Sequence, residues 1–145
     1  MFFQLTIDAN DPPALARFWA RALGYQPEPP TAPDTTWTAH YRARLEGSEA
    51  FENRLFDPAG LRPPIFFQGV PEEKAGKNRL HVDLYPTGRD NSLSQQRRVE
   101  LVDAKVAELV ELGARILRTT RDDDPDDLQY FVVLQDPEGN EFCVS

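Results

Sequence analysis

The sequence predicts an α+β fold of two βαβββ modules in one domain, and three observations predict it. A strand-like alternation followed by an amphipathic helix occurs once in each half of the chain. The turn Asp57-Pro58-Ala59-Gly60 recurs in the second half as Asp136-Pro137-Glu138-Gly139. Thirteen prolines among 145 residues call for extended segments and sharp turns, and leave little room for a helical bundle. A chain of this length buries enough surface for one self-sufficient core.

Taken in order, Phe3 to Asp8 alternates as a strand, with Gln4, Thr6 and Asp8 on one side and Phe3, Leu5 and Ile7 on the other. A helix then runs over 12–23. Asp11 caps it, Pro12 suits its first position, Leu15, Phe18, Trp19, Ala22 and Leu23 share one face, and Gly24 ends it. Prolines 27, 29, 30 and 33 force an irregular connection to a second strand over Trp37 to Arg44. Residues 51–57 and 64–68 read as a hairpin around the first Asp-Pro-Ala-Gly turn.

The second half repeats the order. A strand over Arg79 to Tyr85 precedes a helix over about 98–112, whose Val99, Val102, Val106, Leu109 and Val110 share a face and whose end is Gly113. Strands over Arg115 to Thr119, Gln129 to Gln135 and Glu141 to Ser145 complete it. Module one thus covers about 1–70 and module two about 77–145.

The balance of 16 basic against 24 acidic residues gives a net charge of −8, with no Lys/Arg cluster to neutralise phosphates. Nucleic acid and anionic membranes are therefore unlikely partners. The run of five aspartates from Asp122 to Asp127 reads as a solvated loop, since it lacks the alternating ligands and glycine of a calcium loop. Cys143 is the only cysteine, so neither an internal disulfide nor a multi-thiolate zinc site can form, and a reducing cytoplasmic setting fits. The first residues lack a secretory pattern, and no apolar run reaches the length that spans a bilayer.

Three segments carry a family likeness: Asp11-Pro12 with Leu15-Ala16-Arg17-Phe18-Trp19 and Ala22-Leu23-Gly24, then Lys77 to Leu84, then Leu134 to Val144. Together they resemble the glyoxalase-like branch of the vicinal oxygen chelate superfamily, which also holds bleomycin-resistance proteins and dioxygenases. The resemblance implies that the mixed sheets curl around a central cleft. It also implies four inward positions, on the first and last strands of each module, that hold a divalent ion in metal-using members. Those positions correspond here to Gln4, His81, Cys143 and a residue near Phe66 or Gln68. Cys143 stands where a carboxylate is usual, and the set offers one imidazole, one or two neutral amides and a thiol, which makes a degenerate metal site. Gln4 and His81 remain the weak metal candidates.

His81 and Asp83 lie two apart on a strand, so the carboxylate could fix the imidazole tautomer for ligand contact, or the pair could simply stabilise a sheet face. Cys143 reads as a small buried filler, with a thiolate nucleophile as the alternative. Glu141 shares its face and is the fallback acid or base. Trp37, Tyr41, Phe66, Phe67 and Tyr130 supply aromatic surface for a planar ligand, about half of them serving as plain core. The expected ligand-binding set is Gln4, Trp37, Tyr41, Gln68, His81, Asp83, Tyr130, Glu141 and Cys143.

Two functions follow from the resemblance. The first is a small-molecule binding protein of the bleomycin-resistance type, with no cofactor, holding an apolar or aromatic ligand. The alternative is a metal-dependent lyase, isomerase or dioxygenase that uses a divalent ion. A homodimer is expected for this architecture.

Overall fold

The computed structural model describes residues 3–27, 52–78, 80–90, 92–121 and 130–145. Two compact units divide the chain at Glu73 and Lys74. The strand expected over Trp37 to Arg44 and the aspartate run from Asp122 to Asp127 lie outside the described residues. Among those residues, no helix is long and apolar enough to cross a membrane.

Unit one holds β1 (Leu5–Ala9), α1 (Pro12–Leu23), β2 (Arg54–Leu55) and β3 (Ile65–Gly69). The sheet order is β1-β3-β2, with β1 parallel and β2 antiparallel to β3. A parallel pair needs a crossover, and α1 supplies it. The Asp11 carboxylate accepts from the Ala14 N–H at 3.0 Å, and the chain leaves the helix through Gly24 at φ 67°, a left-handed conformation that glycine adopts without a steric penalty. The buried face of α1 (Leu15, Ala16, Phe18, Trp19 and Ala22) belongs to the same core as Leu55, Phe56, Ile65 and Phe67 of the sheet.

Unit two holds β4 (Asp83–Leu84), α2 (Gln95–Glu111), β5 (Arg115–Arg121), β6 (Tyr130–Gln135) and β7 (Glu141–Val144). The order is β4-β7-β6-β5, with β4 parallel to β7 and the other pairs antiparallel. First and last strands therefore pair in parallel in both units. Val102, Val106 and Leu109 of α2 are buried with Val132, Leu134, Phe142 and Val144.

Three expected details change. The helix expected from about residue 98 starts earlier, because Ser94 caps it by accepting from the Arg97 N–H at 3.3 Å. Val110 is 42% exposed and lies off the buried stripe. The strand expected over Arg79 to Tyr85 shrinks to two residues. The Asn78 N–H bonds the Glu141 carboxylate at 3.0 Å, so a side chain takes the place of a ladder partner and pairing begins only near Val82.

The repeated turn has the same construction in both units. Asp57 and Asp136 are each 2% exposed. The Asp57 carboxylate accepts from the Leu61 and Arg62 N–H groups at 3.0 and 2.9 Å, and from the Arg62 guanidinium at 2.8 Å. Asp136 accepts from the Glu138 and Asn140 N–H groups at 3.0 and 2.9 Å, and from the Asn140 side chain. Each aspartate satisfies backbone donors that the turn would otherwise strand.

Candidate functional site

Each sheet has one face under its helix and one face free of it, and the period-two alternation of the strands assigns every candidate to one of these. In unit one, Thr6 lies opposite Phe66, and Phe66 opposite Arg54. Gln4, two residues before Thr6, joins this free face. The Arg54 guanidinium donates to Gln4 Oε1 at 2.8 Å and stacks 4.2 Å from the Phe66 ring centre, while Gln4 Nε2 donates to Thr6 at 3.3 Å. Gln68 is exposed on the same face, opposite Asp8. Phe67 is fully buried on the other side.

The register also places the last strand of module one. Cys143 pairs with Asp83 and Val133, as Phe66 pairs with Thr6 and Arg54. His81 precedes Asp83 by two residues, as Gln4 precedes Thr6. The repeat counterpart of Cys143 is therefore Phe66, an apolar ring.

In unit two, one row across the sheet runs Asp83, Cys143, Val133, Arg118. The row beside it runs Glu141, Gln135, Arg115. Phe131, one step further along β6, lies under Arg118, whose guanidinium carbon is 6.0 Å from the ring centre. The Cys143 thiol is half-buried. Burial pushes its pKa up, Asp83 adds to this by charge and by hydrogen bonding, and Arg118 and Lys77 oppose it less strongly. It therefore stays a neutral thiol at neutral pH, which disfavours a nucleophilic role.

His81 and Asp83 do not pair with each other. His81 Nε2 lies 3.3 Å from Lys77 Nζ, and Asp83 accepts from the Tyr85 hydroxyl at 3.5 Å. Pairing at Lys77 removes the carboxylate-fixed imidazole that the two-residue spacing suggests. Glu141 is held as a carboxylate: the Asn78 N–H donates to it, Lys74 lies 3.4 Å away, and together they outweigh burial and lower its pKa. An acid held ionised in this way has no proton to give near neutral pH.

Tyr130 belongs to the helix side, because it alternates in phase with buried Val132 and Leu134 and its hydroxyl donates to Asp103 of α2 at 2.5 Å. The residues that sequence reasoning missed on the free faces are Arg54 in unit one, and Lys77, Arg118, Phe131 and Val133 in unit two. The phase of Val132 and Leu134 was the available signal for Phe131 and Val133. Nothing local announced the arginines. Trp37 and Tyr41 lie outside the described residues.

The residues present do not fit a divalent ion. Gln4 Oε1 and His81 Nε2, the atoms suited to face one, each have a basic side chain beside them, Arg54 and Lys77. Phe66 has no donor atom, and the Cys143 thiol is held protonated. Among the described residues, no three His, Cys, Asp or Glu side chains come together as a metal-binding group.

A family model described as a glyoxalase-like domain matches residues 4–145. Among solved structures, a glyoxalase/bleomycin resistance protein/dioxygenase family enzyme from Burkholderia phytofirmans aligns with TM-score 0.58 at 16% identity, over 97% of this chain and 94% of that one. A mutant of the fosfomycin resistance protein FosX from Listeria monocytogenes, complexed with Mn(II) and a dihydroxypropylphosphonic acid, aligns with TM-score 0.56 at 10% identity, over 99% and 89%. A glyoxalase/dioxygenase from Nostoc punctiforme aligns with TM-score 0.54 at 16% identity, over 99% and 88%. At such identities these likenesses show the fold. The search of curated proteins returned no match.

Proposed function

The chain belongs to the glyoxalase-like family of the vicinal oxygen chelate superfamily, and from that premise we propose that it is a small-molecule binding protein with a degenerate metal site. Its ligand is an apolar or aromatic compound, and each unit has partly covered apolar side chains on its free sheet face, Phe66 in unit one and Phe131 and Val133 in unit two. The observation that carries this reading is the occupation of Gln4 Oε1 by Arg54, with an apolar ring at Phe66 and a neutral thiol at Cys143. The competing reading, a metal-dependent lyase, isomerase or dioxygenase, needs a carboxylate or imidazole where Phe66 and Cys143 stand.

The test is elemental analysis of protein purified without added metal, followed by reloading with zinc, nickel, iron and manganese. The expected result is less than stoichiometric metal in every case. One ion per chain that is lost in His81→Ala would restore the enzyme reading. We also place a second copy of the chain among its partners, as a homodimer in the cytoplasm, and no nucleic acid or membrane. A clean monomer mass by light scattering at micromolar concentration would remove the dimer.

A further inference from the structure

The free face of unit two carries more cations than carboxylates. Arg115 and Arg118 stand on its β5 edge, in register with Gln135 and Val133, and Lys77 stands beside His81. Among the described residues, none of these three cations has a carboxylate within ion-pair distance, whereas Arg62, Lys74, Arg97 and Lys105 all do. In a chain of net charge −8, leaving three basic groups unneutralised on one sheet face runs against the average.

The imidazole adds a fourth donor. An ammonium group has donors and no lone pair, so Lys77 Nζ at 3.3 Å obliges His81 Nε2 to accept. The ring proton then sits on Nδ1, and His81 offers an N–H to whatever meets its other side. The acids on this face are already engaged. Glu141 is tied to Lys74 and Asn78, and Asp83 accepts from the Tyr85 hydroxyl.

We propose that the ligand of this face is an aromatic or apolar anion, its carboxylate or phospho group meeting Arg118, Lys77 and His81 above Cys143 while its apolar body lies on Val133 and Phe131. This rests on the small-molecule reading above and names its ligand class. The cations on either side of Cys143 both act on its thiol, so their charge reaches the centre of the row. Arg118, whose guanidinium carbon lies 6.0 Å from the Phe131 ring centre, can meet a planar anion with both its charge and its flat face.

The experiment compares 2-naphthoate with 2-naphthamide, two probes of one shape that differ in charge, by chemical-shift titration of the full chain. Naphthoate should bind on the order of tenfold more tightly at low salt, the preference shrinking as salt is raised. It should shift the amides of Val133 and Cys143. In Arg118→Gln and Lys77→Met, both changes at exposed positions, the preference for naphthoate over naphthamide should fall severalfold. Nitrogen shifts of the His81 ring should report the Nδ1–H form in the wild type and a tautomer mixture in Lys77→Met. Equal affinity for the two probes, or a preference that survives both substitutions, overturns the anion while leaving an apolar ligand in place. Binding of neither probe overturns the small-molecule reading itself, and the anion with it.

Discussion

The Cys143 thiol of β7 and the His81 ring, two residues before the Asp83 that pairs with Cys143, meet a ligand with different chemistry. The thiol is neutral, because burial, the Asp83 charge and the Asp83 hydrogen bond all favour its protonated form. Alkylation by iodoacetamide at pH 7 should therefore be slower than for a free cysteine and should accelerate only above the ordinary thiol value. Asp83→Asn removes the negative neighbour, which favours the thiolate, so its alkylation should be faster at the same pH. An unchanged rate in that variant would show that burial alone sets the thiol. Measured by calorimetry with 2-naphthoate, His81→Ala should weaken binding by about 0.5 to 1.5 kcal/mol, the range of one hydrogen bond. Cys143→Ser should leave binding nearly unchanged. The reverse order would make the thiol the functional group.

Among the elements, those whose local chemistry and packing agree were legible from the sequence. The Asp11 cap, the Leu15-Phe18-Trp19-Ala22 stripe and Gly24 all define one helix, and the structure has it over Pro12–Leu23. The Asp-Pro-x-Gly repeat announced both turns, though not that each aspartate would be buried beneath its own turn. Where a distant partner decides, the sequence was silent: Asn78 shortens β4 through Glu141. The free-face arginines were hidden for the same reason, since strand pairing over long separations brings Arg118 to Cys143 and Arg54 to Gln4. Asp136→Ala should cost about 2 kcal/mol in urea unfolding, because it leaves two partly buried N–H groups without their acceptor. Asp11→Ala should cost about 1 kcal/mol, the usual value of a lost cap. Equal small losses at both positions would mean that the turn aspartate is a solvent-satisfied bystander.

At the scale of the whole molecule, stability against acid depends on the few carboxylates whose folded pKa departs from its unfolded value, and Asp57 is the clearest of them. Burial alone would raise its pKa, but bonds from the Arg62 guanidinium and from the Arg62 and Leu61 N–H groups outweigh this and lower it from the ordinary 3.8 to about 2. A carboxyl depressed in the folded state binds its proton more readily when unfolded. Its contribution is therefore complete above the ordinary value and disappears as the pH falls through about 2. Over the same range the 24 acidic groups lose their charge while the 16 basic groups keep theirs, so the excess of negative charge at pH 7 gives way to positive self-repulsion. Both effects drive unfolding in the same direction. Only the first depends on Arg62, which also stacks 4.7 Å from the Tyr25 ring centre and whose removal leaves the Asp57 backbone bonds in place. Arg62→Met should accordingly keep the fold at pH 7 and move the acid midpoint, followed by circular dichroism, to higher pH. Arg62→Lys should restore part of the shift, since an ammonium group supplies the charge without the flat bidentate geometry. A midpoint in Arg62→Met identical to that of the wild type would mean that the Asp57 carboxyl is held by the turn backbone alone, and that self-repulsion sets the acid limit of the molecule.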